Sequence, residues 1–170
     1  MAQKVQFIAT VIHDPELLIL DEPFSGLDPI NAKLIEDEIY ELKKQGKTII
    51  FSTHRMEQVE EICDEIVLIN KGHKILSGAV AELKQQFKEN KYSVRYDGKL
   101  SEDFHTQFDL VSADASEAII KAGPSSNQIL KYFIDQGITV RSYNEILPSL
   151  NEIFIKAVST SAQTENTKAQ

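Results

Sequence analysis

Apolar and polar positions along the first 70 residues predict a regular order of helices and strands. Val5, Ile8, Ala9 and Ile12 recur at helical spacing. Residues 17–20 form a short continuous apolar run, which is typical of a parallel strand buried on both faces. The predicted elements are a helix over 3–13, a strand over 17–20, a helix from Pro29, a strand over 47–52, a helix over 56–62 and a strand over 66–70.

The second predicted helix has clear start and stop signals. Asp28 is a suitable N-cap residue, and Pro29 fits the first helical position after it. Gly46 suits the left-handed residue that follows a helix C-terminus. The face expected to be buried carries Leu34, Ile35, Ile39 and Leu42.

Beyond residue 70 the pattern predicts a hairpin, a helix and then a separate small α+β domain. The turn Lys71-Gly72 leads into a short strand, and Val80, Leu83 and Phe87 form an apolar helical stripe. The polar stretch 88–91 is expected to be a linker between domains at 1–87 and 92–158, followed by a disordered tail at 159–170. The elements expected in the second domain are strands at 92–96, 108–111, 118–121 and 138–143, a helix capped by Ser126 that ends at Gly137, and a helix opened by Pro148.

Composition and charge exclude several classes of protein. The 170 residues carry 18 Lys and Arg against 26 Asp and Glu, a formal charge of −8, and the largest basic cluster is the Lys43-Lys44 pair. Nucleic acid is therefore not an expected partner. No apolar run approaches the roughly 20 residues of a membrane-spanning helix. The single cysteine, Cys63, excludes an internal disulfide and suits a reducing cytoplasm.

An acidic pair follows the first predicted strand. Asp21 and Glu22 come directly after residues 17–20, at the end of a strand where open α/β sheets bind their ligands. Asp21 could supply the carboxylate that holds a hydrated Mg²⁺ beside phosphate oxygens. Glu22 could position or deprotonate a water molecule. The alternative is that the two carboxylates simply end a strand in solvent.

Two further segments lie close to this pair in the predicted order. Ser25, Gly26 and Asp28 follow Glu22, although a turn at Gly26 and a cap at Asp28 would also explain them. His54 ends the second strand, so its imidazole is expected at the same sheet edge as the acidic pair. A histidine in that position can also be a purely structural hydrogen-bonding group.

In this order, the segments LLILDEP, SGLD and STH resemble the Walker B motif, the D-loop and the switch histidine of ABC-type ATPases. The resemblance covers residues 1 to about 84. The remainder up to Ala157, above all LPSLNEIFIKA, looks like the small accessory domain of export-type bacterial members. The fold that this implies is part of the RecA-like, parallel α/β sheet of a P-loop NTPase, followed by an α+β accessory domain.

The resemblance implies a function and roles for single residues. Asp21 would hold Mg²⁺ through water, Glu22 would be the general base and His54 would contact the γ-phosphate of ATP. Ser25, Gly26 and Asp28 would face a second ATPase subunit. The expected partners are the transmembrane permease subunits of an ABC transporter, which would bring the cytoplasmic chain to the inner face of the membrane.

The chain departs from the family in one respect that affects both fold and activity. It contains no G-x-x-x-x-G-K-[ST] phosphate loop (Walker A), no LSGGQ-like signature and no identifiable Gln loop, and residues 1–5 resemble the end of the signature. We therefore expect the C-terminal half of an ABC ATPase: a fragment, a truncated product or a protein with a misassigned start. The Walker A strand would lie between the strands at 47–52 and 66–70.

The alternatives differ in class. The leading hypothesis is an ATP-hydrolysing subunit that drives export, inactive as this chain alone. The second is a catalytically inactive chain, either a pseudogene product or an interaction module that acts through residues 92–158. A soluble ABC ATPase of DNA repair or translation is disfavoured because a basic surface is missing.

Overall fold

The computed structural model describes the backbone of residues 2–101, 103–123 and 126–168, with side chains except at 2, 105 and 161–168. The chain divides into two compact units, Met1–Ile66 and Val67–Gln170. The architecture is mixed α/β, with small parallel and antiparallel sheets. None of the helices in the described part combines the length and the apolar character that a membrane span requires.

The first unit follows the predicted order of elements. β1 and β2 form a two-stranded parallel sheet in which Leu17 lies opposite Thr48 and Asp21 lies opposite Ser52. Their carboxyl ends therefore lie at the same sheet edge. The elements are α1 (Ala2–Val11), β1 (Leu17–Asp21), α2 (Pro29–Lys44), β2 (Thr48–Ser52) and α3 (Met56–Ile62), and β3 (Glu65–Asn70) begins at the end of this unit.

α2 begins and ends where the sequence predicts. The Asp28 side chain accepts a hydrogen bond from the Asn31 N–H at 3.0 Å, and the chain leaves the helix through Gly46, whose φ is +84°. Ile35 and Ile39 are buried as expected, whereas Leu34 is half exposed. The core of this unit consists of Phe7, Leu20, Phe24, Ile35, Ile39 and Ile62.

The prediction that β1 is buried on both faces is wrong. Leu18 and Leu20 are buried, but Leu17 is 49% exposed and Ile19 is 71% exposed. Ile50 of β2 is likewise exposed. The helices of this unit cover one face of the sheet, so every second residue of each strand lies in solvent.

β2 and β3 belong to different sheets. β3 pairs with β4 (His73–Ala79) in a separate two-stranded sheet, joined to it by a turn in which Lys71 and Gly72 both have positive φ. This hairpin confirms the prediction for Lys71-Gly72. The separation of β2 from β3 is consistent with a parallel sheet that lacks the Walker A strand.

The second unit contains a β-α-β-β-α-β arrangement. Its four-stranded antiparallel sheet has the order β6-β7-β5-β8, which is the ferredoxin-like pattern. The elements after β4 are α4 (Val80–Gln86), β5 (Lys91–Asp97), α5 (Phe104–Gln107), β6 (Asp109–Ala113), β7 (Glu117–Lys121), α6 (Asn127–Asp135), β8 (Thr139–Ile146) and α7 (Leu150–Lys168).

α5 and α6 cover one face of this sheet. Val94 and Ile120 have no exposed surface and pack with Phe104 and Phe133 from the two helices. The Phe104 and Phe133 rings meet edge to face, with centroids 5.7 Å apart. The sequence did not predict α5, because four residues are too few for a helical repeat.

The structure divides the chain earlier than the predicted linker at 88–91. Lys88 forms an ion pair with Glu145 at 3.1 Å, Lys91 begins β5, and Glu89 forms ion pairs with Lys91 and Lys156. In addition, β4 and α4 contact α7. β4, α4 and this stretch thus belong to the same compact unit as the elements of the predicted domain at 92–158.

Two helix starts and the end of the chain also differ from expectation. Ser126 precedes α6 but makes no side-chain cap bond among the described residues, since its backbone is already helical. α7 is capped by Ser149, which exchanges hydrogen bonds with Glu152, so Pro148 lies before the cap. α7 continues to Lys168, whereas the sequence predicted a disordered tail from 159. The helix can continue because the backbone hydrogen bonds of a helix do not require apolar side chains. Residues 169–170 lie outside the described part.

Candidate functional site

The predicted catalytic residues meet at the carboxyl edge of the parallel sheet in the first unit. Asp21 is the last residue of β1 and lies opposite Ser52 of β2. Glu22 follows Asp21, and His54 follows two residues after Ser52. The equal length and parallel direction of the two strands bring both carboxylates and the imidazole to one edge.

The backbone of Glu22 has an unusual conformation. Its φ is +44°, in the left-handed region that non-glycine residues rarely adopt. Its N–H donates to the Ser52 carbonyl at 3.1 Å, and its carbonyl accepts from the Gln3 side chain and the Ser25 N–H, both at 3.0 Å. Left-handed residues of this kind cluster at functional sites, where surrounding bonds hold them.

The side chain of Glu22 is fixed by the residues that follow β2. Its Oε1 accepts the backbone N–H of His54 at 3.1 Å and lies 2.8 Å from His54 Nδ1. Its Oε2 accepts the Thr53 hydroxyl at 3.3 Å. The contact at 2.8 Å requires a proton on Nδ1 if the carboxylate is ionised. The imidazole itself remains 79% exposed.

The Asp21 carboxylate accepts the hydroxyl of Ser52. A single exposed carboxylate at the end of a strand fits Mg²⁺, which keeps most of its waters and uses one or two carboxylates together with phosphate oxygens. Among the described residues no group of three or more His, Cys, Asp or Glu side chains could form an all-protein metal site. The donor set therefore suits a hydrated Mg²⁺ more than a tightly held transition metal.

Ser25, Gly26 and Asp28 lie on an exposed loop between Glu22 and α2. Gly26 has φ +69°, and a side chain there would meet open space, so the turn itself requires the glycine. The Asp28 carboxylate caps α2, and the backbone N–H of Asn31 lowers the pKa of Asp28 below its ordinary value. The structural explanation of Asp28 is thus confirmed.

Sequence reasoning missed one residue of this site, Gln3, and assigned no role to two others, Ser52 and Thr53. Gln3 and Thr53 hold the backbone and the side chain of Glu22, and Ser52 contacts Asp21. Ser52 could have been found, because parallel strands of equal length predict the pairing with Asp21. The contact of Gln3 depends on how α1 packs, and no local pattern predicts it.

The cysteine and the other histidines form no metal cluster in the described part of the chain. Cys63 is partly buried, and this burial raises the pKa of its thiol to about 11, so it is a poor nucleophile. His13 and His73 belong to no possible metal cluster in the described part of the chain. The side chain of His105 lies outside the described residues.

Comparisons with known proteins cover both units. Residues 78–158 match the family model "ATP-binding protein DrrA1-3-like, C-terminal domain". An uncharacterized ABC transporter ATP-binding protein of Alkalihalophilus pseudofirmus is 38% identical over 161 residues, which cover 93% of this chain and 60% of that protein. YhaQ of Bacillus subtilis, another such protein, is 39% identical over 168 residues, which cover 92% and 53%.

A fluoroquinolones export ATP-binding protein of Mycobacterium tuberculosis is 41% identical over 98 residues, covering 58% of this chain and 33% of that protein. The chain thus spans between half and two thirds of the length of the first two relatives. Over more than nine tenths of its length the chain matches the C-terminal half of ABC transporter ATP-binding proteins.

Proposed function

We propose that this chain supplies the catalytic residues of an ATP-hydrolysing subunit that drives export through membrane-embedded permease subunits. The observation that carries the proposal is the convergence of Asp21, Glu22 and His54 at one edge of a parallel sheet. A side-chain hydrogen bond holds each of the three: Asp21 bonds to Ser52, and Glu22 and His54 bond to each other.

In this proposal the two carboxylates have different tasks. Asp21 holds a hydrated Mg²⁺, which would neutralise charge on the phosphates of ATP. Glu22 orients the attacking water and accepts its proton.

His54 has a positioning role and a binding role in the same proposal. Its Nδ1 contacts Glu22 Oε1, which holds the proposed base in place. With the proton on Nδ1, the other ring nitrogen is an acceptor in neutral imidazole and becomes a donor when the ring is protonated. In this proposal, that nitrogen, Nε2, contacts the γ-phosphate of ATP.

The partners are proposed from the family. Ser25, Gly26 and Asp28 lie on an exposed loop, which is consistent with contact to a second ATPase subunit. Permease subunits would place the protein at the cytoplasmic face of a membrane. Export is supported by the similarity to the mycobacterial fluoroquinolones export protein and by the DrrA-like C-terminal match.

A second candidate is an interaction module without ATPase activity. The observation that favours it is the absence of a G-x-x-x-x-G-K-[ST] phosphate loop from the 170 residues. Asp21, Glu22 and His54 would then act on phosphates that nothing in this sequence holds. The two candidates differ in whether the site hydrolyses ATP once a phosphate loop is supplied.

The test is a hybrid protein in which the segment of the Alkalihalophilus relative that precedes the match is joined to this chain. The hybrid should hydrolyse ATP with Mg²⁺, and Glu22→Gln should lower kcat by about 10²- to 10⁴-fold while ATP still binds. Exposed Glu38 on α2 offers a matched control, because Glu38→Gln removes the same charge away from the site. His54→Ala should also impair turnover.

The 170-residue chain alone should be no faster than its own Glu22→Gln variant. Near wild-type turnover of Glu22→Gln in the hybrid would show that the assignment of the base is wrong. Mg²⁺-dependent hydrolysis by the chain alone, abolished by Glu22→Gln, would show that the phosphate-loop argument is wrong.

A further inference from the structure

One hydroxyl group connects the two proposed functional carboxylate residues. Ser52 Oγ donates a hydrogen bond to Asp21 Oδ1 and accepts the backbone N–H of Glu22 at 3.2 Å. We propose that Ser52 is a positioning residue that holds Asp21 and Glu22 in the orientations required for Mg²⁺ binding and for activation of water. This inference rests on the proposed function of the site.

The position of Ser52 is set by strand register. Ser52 is the last residue of β2 and lies directly opposite Asp21, the last residue of β1. Its hydroxyl and its carbonyl both accept the N–H of Glu22, at 3.2 and 3.1 Å. A single residue of the neighbouring strand therefore fixes the side chain of Asp21 and the backbone of Glu22.

Both fixed groups need such support. The left-handed backbone of Glu22 is unfavourable for a residue with a side chain and persists only where surrounding bonds define it. The Asp21 carboxylate is exposed, so without a donor it would sample several rotamers. Partners that orient a metal-binding carboxylate in this way typically contribute 10- to 100-fold to metal affinity or activity.

The hydroxyl is the part of Ser52 that the proposal requires. Ser52→Ala keeps the backbone acceptor for Glu22 but removes both hydroxyl bonds. Ser52→Thr keeps the hydroxyl and adds a methyl group that β-strands accommodate well. Thr48 at the opposite end of β2 provides the matched control, because Thr48→Ala also removes a hydroxyl from this strand.

The first measurement uses the 170-residue chain and needs no ATP. In amide hydrogen exchange followed by NMR, Ser52→Ala should speed exchange of the Glu22 N–H roughly five-fold. Ser52→Thr and Thr48→Ala should leave it unchanged. Unchanged exchange of Glu22 in Ser52→Ala would overturn the proposal. Equal acceleration of every β1 amide would also overturn it, because the hydroxyl would then only support strand pairing.

The second measurement uses the hybrid protein. Ser52→Ala should lower kcat about 10-fold and raise the Mg²⁺ concentration for half-maximal rate about 10-fold, with the KM for ATP at saturating Mg²⁺ unchanged. Ser52→Thr should restore both values. A purely structural role would not shift the Mg²⁺ dependence selectively.

The failures of the two proposals are distinguishable. If Glu22→Gln abolishes turnover but Ser52→Ala changes neither kcat nor the Mg²⁺ dependence, the role of Ser52 is wrong and the proposed function stands. If the wild-type hybrid shows no hydrolysis that depends on Glu22, the proposed function fails and the role of Ser52 fails with it.

Discussion

The parallel sheet of the first unit and the four-stranded sheet of the second unit differ in how their central apolar residues are buried. In the first unit, Ile19 of β1 is 71% exposed and Ile50 of β2 is 56% exposed, although both lie in the middle of apolar strands. In the second unit, Val94 of β5 and Ile120 of β7 are completely buried. β5 and β7 alternate between the buried face of the four-stranded sheet and an outer face that carries Ser93 and Arg95, for example.

The difference shows what a strand pattern encodes. A continuous apolar run such as residues 17–20 suits a sheet covered on both faces, whereas alternation suits a sheet covered on one. In the second unit, α5 and α6 cover the apolar face of the four-stranded sheet. The described residues of the first unit cover one face of their sheet, so its strands carry more apolar surface than that unit buries.

Limited proteolysis of the full chain should give the largest contrast between the units. Thermolysin should digest the first unit early, because its sheet has two strands and an exposed apolar face. A fragment that contains residues 91–156 should survive longer, since its core is closed. A protected fragment from the first unit, with rapid loss of the second, would contradict the comparison.

A core substitution in the second unit should have the next largest effect. Phe133 has no exposed surface and packs on Tyr96, Phe104 and Tyr132, so Phe133→Ala should lower the free energy of unfolding by about 3–5 kcal/mol. Urea denaturation followed by tyrosine fluorescence is suitable because the chain has no tryptophan. The tyrosines of the second unit are Tyr92, Tyr96, Tyr132 and Tyr143, four of the five in the chain.

The matched change in the first unit is Ile19→Thr, which keeps a β-branched side chain at an exposed position. It should alter stability by no more than about 0.5 kcal/mol. A loss comparable to that of Phe133→Ala would mean that the outer face of β1 is covered in solution.

The alkylation rate of Cys63 measures how well the first unit shields its interior from solvent. Burial raises the pKa of this thiol from 9.0 to about 11, so its thiolate fraction at pH 8 should be about 100-fold lower than that of a free thiol. Iodoacetamide should therefore react about 100-fold more slowly than with the same chain in urea. Equal rates in buffer and in urea would show that the region around Cys63 is open.

The sequence predicted the elements of both units better than their burial. Asp28, Pro29 and Gly46 defined α2, because capping is a local interaction. The apolar run at 17–20 correctly predicted β1 but not its exposed face. The pattern indicates which faces of a strand can be buried, but it does not indicate which helices or strands are present to cover them. α5 was too short to be recognised by period.

The candidate site was predictable to a similar extent. Asp21, Glu22 and His54 were placed together correctly, because parallel strands end at a common edge. The left-handed backbone of Glu22 and the contact from Gln3 were not predicted. Both depend on packing between segments far apart in sequence, which leaves no periodic signal.

A modest effect is expected at the cap of α2, a local bond whose contribution does not depend on whether the outer sheet face is covered. Asp28→Ala should lower the thermal midpoint of the first unit, followed by circular dichroism, by roughly 5 °C at pH 7. Glu38→Ala, an exposed change within the same helix, is the control and should leave the midpoint nearly unchanged.

The pH dependence of the cap follows from the direction of the pKa shift. The pKa of Asp28 lies below its ordinary value of 3.8 in the folded chain, because the backbone N–H and the side-chain amide of Asn31 bond the ionised form. The stabilisation is therefore present above pH 3.8 and is lost as the pH falls through the lower folded value. The difference in midpoint between wild type and Asp28→Ala should narrow on acidification below 3.8. A difference that persists unchanged at lower pH would show that the ionised carboxylate is not the source of the stabilisation. The α2 cap could then no longer serve as the local contrast to the incompletely covered sheet.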